Sequence, residues 1–436
     1  MIIMTTKDEI HLYDLLNTMY HGKQKKFVPG ITKIHYAEAI YDHNEIYSVL
    51  QSLLSGWLGL GRNAHEFEKE FARFLDVKHC ILTNSGTSSN LLSVSALGLP
   101  KDSEALILAT NFPTTLSVLI RNNIKPVFMD INSRTYNMDA EAIEDCLTKK
   151  TKLIMLVHAL GNPNEMDTVM EIADKHDLAV VEDTCDALGS KYDGRYLPTY
   201  ENLGTFSFYP AHQITLGGGG AVVTNSDNFN LKIRSLRDWG RACTCDVCKL
   251  SLDKNAVCPQ RFIRTPIKDY DKRFTYINIG YNLQPMDLQA AIGLYQLKRL
   301  PEFIEKRKEN FKEIYSELSR YEKYFILPES LPKADPCWFA FPITVKKDAP
   351  FKRRDIVSFL EKHHIDTRPI YGGNLLKQPA FENISCRKPQ KLSNSDYVMK
   401  SGFFIGLHQG LTKEMLAYVL ETLGDFMRQK AHRALR

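Results

Sequence analysis

The sequence predicts an α/β fold: a central, mostly parallel sheet flanked by helices, followed by a smaller α+β part. Three observations carry this. Short apolar runs rich in Val, Ile and Leu recur through the middle of the chain. The first four alternate with helical-looking stretches. After about residue 300 the texture changes to a long amphipathic pattern and a few short strand candidates. Two-sided burial of a parallel sheet gives runs of this kind, and helices supply the crossovers between parallel strands.

The runs are "ALILAT" (105–110), "KPVFMD" (125–130), "KLIMLVHAL" (152–160), "LAVVEDT" (178–184), "TFSFY" (205–209) and "GAVVTN" (220–225). "AEAIEDCLTKKT" and "MDTVMEIADKHD" read as helices among them. "PEFIEKRKENFKEIYSELSRYEKY" reads as a long amphipathic helix with Pro301 in its first turn, where a missing N–H costs nothing. "CWFAFPITV" reads as a strand, and a closing helix is expected from about Thr412. The domain reading is a segment 1–55 packing across both domains, a large domain 56–300 and a small one 301–436.

Composition narrows the function classes. The chain has 436 residues, 44% apolar and 25% charged, with a net charge of +5. So small a charge makes no case for nucleic-acid binding, and the basic tail "MRQKAHRALR" reads as a solvated helix end. The opening "MIIMTTKDEIHLYDLL" is broken by Lys7, Asp8 and Glu9, too early for a signal-peptide core. No apolar run approaches the roughly 20 residues of a membrane span. The expected location is the cytoplasm, where nine cysteines suit metal ligands or buried thiols better than disulfides. Cys80, Cys146, Cys337 and Cys386 are isolated and read as inert buried thiols. Cys243, Cys245, Cys248 and Cys258 crowd into one polar segment.

Three stretches carry chemistry. "TNSGTSSNLLSVSALGL" begins at Thr83 and opens a helix on a small polar turn. Exposed amides there make either a phosphate seat or a simple cap. "VVEDTCDALGS" begins at Val180 and places Asp183 at a strand's carboxyl end. Ligands of open α/β sheets bind at that edge. An Asp there either pairs with a pyridinium nitrogen or caps a helix. "SFYPAHQITLGGGGAVVTN" offers the Ser207 hydroxyl and a glycine run, Gly217 to Gly220, past which a ligand can lie close to backbone. "HALGNP" (158–163) carries His158, either part of a site floor or a buried structural histidine.

Together these stretches resemble the pyridoxal-phosphate enzymes of aminotransferase fold type I, and more narrowly the DegT/StrS-type sugar aminotransferases. "GYNLQPMDLQAAIGLYQL" (280–297) and "IDTRPIYGGNLLKQPAF" (365–381) resemble two further blocks of that family, so the likeness runs from about residue 35 to 425. It implies that Gly86 and Thr87 hold the cofactor phosphate with Ser207 assisting. Phe112 would stack on the pyridine ring, and Asp183 would pair with its nitrogen. Asn282 would reach the phosphate of a neighbouring subunit in a homodimer.

In the aminotransferases, the residue five after that serine is the Schiff-base lysine; here it is His212. A histidine forms no imine, but its ordinary pKa suits proton abstraction. The resemblance thus narrows to the nucleotide-sugar 3-dehydratases, which share this change and hold pyridoxamine phosphate without a covalent link. One branch carries no metal; another carries a [2Fe–2S] cluster on four cysteines. Fifty-seven residues separate Cys185 from Cys243, and one separates Cys243 from Cys245, which is similar to the cluster-bearing branch. Cys258 aligns with the fourth ligand through the following "RF", with Cys248 as competitor. Four thiolates suit zinc or an iron–sulfur cluster; a position next to Asp183 favours the redox centre. The implied activity is removal of the C3 hydroxyl of a CDP-linked 4-keto-6-deoxyhexose, on the way to a 3,6-dideoxyhexose of surface polysaccharide. His212 would be the base, and electrons would come from an NAD(P)H-dependent flavin and iron–sulfur reductase. Open beside it stand a cluster-free dehydratase or aminotransferase with structural zinc, and a non-catalytic protein on the same fold.

Overall fold

All six apolar runs fold as strands, and one further strand precedes them. The computed structural model describes residues 6–22, 26–198, 203–253 and 255–434. In chain order the strands are β1 (His79–Thr83), β2 (Glu104–Leu108), β3 (Lys125–Met129), β4 (Thr151–Val157), β5 (Ala179–Asp183), β6 (Lys191–Tyr192), β7 (Arg195–Tyr196), β8 (Leu203–Ser207), β9 (Gly220–Thr224), β10 (Phe325–Ile326), β11 (Ala334–Asp335), β12 (Ala340–Val345), β13 (Thr367–Arg368) and β14 (Gly402–Gly406). The helices are α1 (Thr6–His21), α2 (His43–Leu54), α3 (Arg62–Leu75), α4 (Gly86–Leu97), α5 (Pro113–Arg121), α6 (Met166–Lys175), α7 (Asp227–Arg237), α8 (Lys249–Leu252), α9 (Asp287–Leu318), α10 (Arg353–Lys362), α11 (Ser393–Ser401) and α12 (Lys413–Ala434). The main sheet is mostly parallel, as the α/β class requires. No helix among the described residues is long and apolar enough to cross a membrane.

The chain divides into two units. The first comprises Met1–Gln24, Ile40–Gly98 and Tyr200–Leu300; the second comprises Lys25–Ala39, Leu99–Thr199 and Pro301–Arg436.

In the first unit the strand order is β1-β9-β8, antiparallel throughout. The register sets Gly220 opposite Thr83 on one side and Ser207 on the other. Helix α3 forms because its apolar residues recur every three or four positions, giving a stripe of Ala64, Phe67, Phe71, Ala72 and Leu75. Phe71 meets Phe206 and Phe208 edge-on, at centroid distances of 5.1 and 5.4 Å. Glu68 lies in the same buried stripe, so its charge needs partners. Its partners include Arg234 at 3.0 Å, Arg237 at 3.1 Å, the Leu82 backbone N–H at 2.8 Å and the His65 ring. Arg237 also donates to the Leu82 carbonyl at 2.9 Å, so one ion group ties α3, β1 and α7.

In the second unit the parallel strands run β5-β4-β2-β3, with Asp183 level with Val157 at one edge. Helix α5 follows β2, with Phe112 as its N-cap and Pro113 in its first turn. An antiparallel sheet, β10-β12-β14-β13, lies in the C-terminal part. Buried Arg307 donates to the carbonyls of Trp338 and Phe339 and to Gln409, which fixes the second half of α9.

Two sequence expectations are corrected. Pro301 is not in a first turn but inside α9, which starts at Asp287. The preceding stretch buries Ala290, Ala291, Leu297 and Leu300, and this packing outweighs the local break. "AEAIEDCLTKKT" makes only one 3-10 turn, Glu144–Cys146. There Thr148 donates its hydroxyl to Glu104 at 2.6 Å, and the Thr151 hydroxyl accepts the Thr148 N–H at 2.9 Å. These side-chain bonds compete with helix and start β4 instead.

Burial alone would raise the Glu68 carboxyl, but Arg234, a hydrogen bond from His65 and Arg237 outweigh it and hold it well below the usual range. Its stabilisation is therefore present above the unfolded pKa of about 4.3 and lost as pH falls through the lower folded value. Glu68→Gln leaves buried Arg237 and half-buried Arg234 short of a counter-charge, for an expected loss of about 3–5 kcal/mol at pH 7. Urea unfolding across pH 3 to 7 checks this; the deficit should shrink toward the acid end.

Candidate active site

In the first unit, the end of β1 turns through Asn84 and Ser85 into α4. The Ser85 hydroxyl caps the helix by accepting the Ser88 N–H at 3.1 Å. Helix geometry then gives the first-turn amides of Gly86 and Thr87 no intrahelical acceptor. Gly86 is buried and Thr87 exposed, so the turn opens to solvent at Thr87. Gly220 lies against this turn: a Cβ there would stand 2.5 Å from the Ser85 carbonyl carbon and 2.7 Å from the Gly86 nitrogen. The preceding Gly219 takes φ +129°, which only glycine adopts readily, and bridges to Ser85. Glycines are thus required because backbone touches backbone beside the anion seat.

Ser207, half-buried at the end of β8, is level with Gly220, so its hydroxyl and the first turn of α4 flank the same glycine. The chain then reverses in a tight turn in which the His212 N–H donates to the Tyr209 carbonyl at 3.0 Å. Beyond it, Leu216 N–H returns to the Phe208 carbonyl at 3.1 Å and Phe208 N–H donates to Gly219 at 2.9 Å. His212 is half-buried at the head of this closed loop. Asn282 is exposed, and its neighbour Leu283 accepts the Asn84 N–H at 3.0 Å, which ties that segment to the α4 turn.

In the second unit, Phe112 and Asp183 both follow carboxyl ends of the parallel sheet. Phe112 is 55% exposed, a bare ring held by its N–H donating to Asn111 Oδ1 at 2.7 Å. Asp183 is buried; it accepts the Thr115 hydroxyl at 2.9 Å and the Cys185 N–H at 3.2 Å. The buried Asn111 amide nitrogen has no protein acceptor among the described residues, which leaves a donor beside the Phe112 ring. Taken unit by unit, the unpaired first-turn amides of α4 beside Gly220 are donors of the kind a phosphate takes, and the open Phe112 ring and buried Asp183 carboxylate are groups of the kind a pyridine ring takes.

His158 is structural. It is fully buried, accepts the Asn164 N–H at Nδ1 (3.1 Å) and therefore donates from Nε2 to Glu182 at 3.1 Å.

Two residues escaped the sequence reading. The Tyr371 hydroxyl donates to Asp186 at 2.7 Å and accepts the Leu160 N–H at 2.6 Å. Enclosure pushes the Asp186 carboxyl up to about 7; the Tyr371 hydrogen bond opposes this and the Asp183 charge adds to it. Both residues stand in the stretches that carried the family resemblance, Asp186 three positions after Asp183. Only their meeting was hidden.

The cysteines behave differently from expectation. Among the described residues, no three His, Cys, Asp or Glu side chains converge as a metal-holding group. Of the expected set, Cys243, Cys245 and Cys258 lie in the first unit and do not form such a group among the described residues, and Cys185 lies in the second unit. Cys245 and Cys248 face solvent, while Cys243 and Cys258 are half-buried. Burial raises the Cys243 thiol, and the charges of Cys245, Cys248 and Cys258 raise it further. The four loop thiols are neighbours of soft-metal type without being a coordination sphere.

Residues 40–424 match the DegT/DnrJ/EryC1/StrS aminotransferase family. The chain belongs to this family. It is 41% identical to the lipopolysaccharide biosynthesis protein RfbH of Salmonella typhimurium, over 92% of this chain and 93% of that protein. It is also 41% identical to a dTDP-4-dehydro-2,6-dideoxy-D-glucose 3-dehydratase of Saccharopolyspora spinosa, over 94% of this chain and 90% of that one. Among solved structures it is similar to E coli GDP-4-keto-6-deoxy-D-mannose-3-dehydratase with bound hydrated PLP. The TM-score is 0.81 at 27% identity, covering 90% of this chain and 100% of that one. The fold is the type I fold of pyridoxal-phosphate enzymes, and the chain is an enzyme of the sugar aminotransferase and 3-dehydratase family.

A raised folded pKa at Asp186 contributes stability that is full below its ordinary 3.8 and lost as pH rises through about 7. Asp186→Asn removes the ionisation and keeps an oxygen for Tyr371. Relative to the parent protein, this variant should gain stability steadily from pH 4 to pH 7 and hold a constant gap above. Thermal melts at stepped pH check it; a flat gap shows an Asp186 of ordinary acidity.

Proposed function

We propose that this enzyme is a pyridoxamine-phosphate-dependent 3-dehydratase of a nucleotide-linked 4-keto-6-deoxyhexose. One observation carries the reading: His212 is five residues after Ser207, on a loop closed against that strand end, and the family resemblance puts the aminotransferases' Schiff-base lysine at this position. The S. spinosa and E coli relatives, both named as 3-dehydratases of nucleotide sugars, support the reaction class and the substrate class.

Pyridoxamine phosphate, when bound, supplies an amine that condenses with a ketone and a ring that holds electrons. The protein's own residues do the rest. Amides of Gly86 and Thr87, with the Ser207 hydroxyl, bind the phosphate, and helix α4 adds its dipole. Phe112 covers a ring face and excludes water. Asp183, fixed by Thr115 and the Cys185 amide, holds a proton on the ring nitrogen. His212 takes the proton whose removal lets the C3 hydroxyl leave, and Asn282 serves the second chain of a homodimer.

The finer reading is reductive and CDP-linked. Replacing C–OH by C–H consumes two electrons and two protons and releases one water. NAD(P)H on a partner flavin and iron–sulfur reductase supplies both electrons and one proton; solvent supplies the other. A [2Fe–2S] cluster on Cys185, Cys243, Cys245 and Cys258 belongs to this reading. Its support is the cysteine spacing and the crowding of soft donors in one loop. That the described residues form no metal-holding group favours a second reading, a cluster-free 3-dehydratase, in which the cysteine loop is structural.

His212→Asn should retain cofactor and lose dehydration by about 10²- to 10⁴-fold, the usual worth of a general base. Solvent-oxygen exchange at C3 reads this, and near-normal exchange in the variant would remove His212 from the chemistry. His212→Lys should regain a borohydride-fixable covalent link to pyridoxal phosphate, detected by mass spectrometry.

Anaerobically purified protein should carry about two irons per chain under the cluster reading. Cys243→Ser should lose iron and reductive turnover while keeping C3 exchange. Iron-free parent protein with full exchange selects the cluster-free dehydratase.

A further inference from the structure

Helix α2 buries a polar stripe. Its buried positions are Glu45, Ser48 and Ser52, three and four residues apart, while Leu53 stands 44% exposed. An ordinary amphipathic helix buries apolar residues at that spacing. Buried polar groups are tolerated where something satisfies them. Glu45 accepts the Gln296 amide at 2.6 Å, and the Ser48 hydroxyl donates to the Glu45 carbonyl at 2.8 Å. Ser52 is 4% exposed, and its hydroxyl has no partner among the described residues. Breaches of a local rule of this kind gather at functional sites.

Ser48 and Ser52 belong to the wall of a cavity of about 1160 Å³. Its lining comes from the first unit alone, from α2, α3, α8, α9 and the turn between α2 and α3. None of the residues assigned above to the cofactor lines it. Trp57 and Tyr295 give it two half-buried aromatic rings, and the Trp57 indole N–H is fixed on the Leu60 carbonyl at 3.0 Å. The acids of the lining are all engaged. Asp287 accepts the Asn63 amide at 2.7 Å and the Ala64 N–H at 2.9 Å, Glu70 meets Arg73 at 2.6 Å, and Glu66 meets Lys69 at 3.7 Å. Two cations of the lining are not. Arg62 and Lys298 are exposed and make no ion pair among the described residues; Lys298 lies over the Tyr295 ring at 4.9 Å.

A cavity of this size has room for a ligand larger than most cofactor fragments. Aromatic faces take a planar base whatever its identity, because every base has a π-face. Uncommitted cations take phosphate oxygens through charge-assisted hydrogen bonds, and a guanidinium does so with two donors at once. A buried hydroxyl in the wall suits a sugar hydroxyl. We infer that this cavity is a binding site for a nucleoside diphosphate, free or linked to a sugar. Its base lies against Trp57 or Tyr295, its diphosphate at Arg62 and Lys298, and its ribose on the Ser52 wall. The inference goes beyond the dehydratase reading and does not rest on it.

The test uses the full chain and 5-azido-UDP, with the photolabelled peptides read by mass spectrometry. Label is expected within residues 48–62 or 291–298, and UDP should compete it away. The exposed pair Arg62→Glu/Lys298→Glu should weaken labelling of these peptides about tenfold or more. Ser52→Met, which fills the wall, should weaken it as well, and melting temperatures show that each variant keeps its fold. Competition by UDP-glucose as strong as by UDP assigns the site to sugar-linked diphosphates; competition by UDP alone assigns it to the free nucleotide. Uridine competing as well as UDP would overturn the inference, because the cations would then play no part. Label confined to other peptides, or unchanged in the Arg62→Glu/Lys298→Glu variant, would overturn it too.

Discussion

The first unit depends on a buried carboxylate. Glu68 sits among phenylalanines on α3, where an unpaired charge would be intolerable, and its two arginines come from α7. The same group holds both the N–H and the carbonyl of Leu82. Strand β1 is therefore fixed one residue before the turn that opens α4. Gly220 is in register with that strand end, and Ser207 with Gly220. The first turn of α4, the Ser207 strand end and the loop that carries His212 are all referred back to one ion group. Such a group contributes little net stability over an apolar substitute, but it specifies which arrangement is adopted.

The second unit positions its chemistry by another means, parallel strand ends. Phe112 and Asp183 emerge where β2 and β5 stop, and the Thr115 hydroxyl links the two segments through the Asp183 carboxylate. Beneath Asp183, His158 and Glu182 form a fully buried pair with both histidine nitrogens engaged. A carboxylate supported by hydrogen bonds from two sides and by a satisfied pair below has little freedom to turn. Enclosure in the same neighbourhood raises the Asp186 carboxyl, and the Asp183 charge adds to it.

Much of this was legible in the sequence because it is local. Burial on both faces writes itself as Val- and Ile-rich runs, and the Ser-Gly-Thr turn and the glycine run state their backbone needs directly. The expectation for His212 rests on a family pattern alone, since nothing in its own neighbourhood announces a base. Failures came where tertiary contacts overrule local preference. Pro301 looks like a helix start and lies mid-helix, because apolar packing carries α9 through it. Residues 140–151 have helical composition and form one turn, because threonine hydroxyls bond the backbone and Glu104. Tyr371 and Asp186 lie 185 positions apart, and no periodicity connects residues at that distance. The cysteine spacing suggests one coordination sphere, but spacing along a chain does not by itself fix where thiols converge.

Each unit is assembled from three separate stretches of chain, and the stretches interleave. The first unit is incomplete until its last stretch, which ends at Leu300, has been synthesised; the second waits for the C-terminal segment. On the ribosome the parallel strands of the second unit emerge long before β12 and β14, the partners that complete its other sheet. Apolar strands must therefore persist without their full cover while roughly a hundred or more residues are added, a delay of several seconds or more at ordinary elongation rates. A protein threaded in this way depends on slow aggregation, or on chaperones, during its own manufacture.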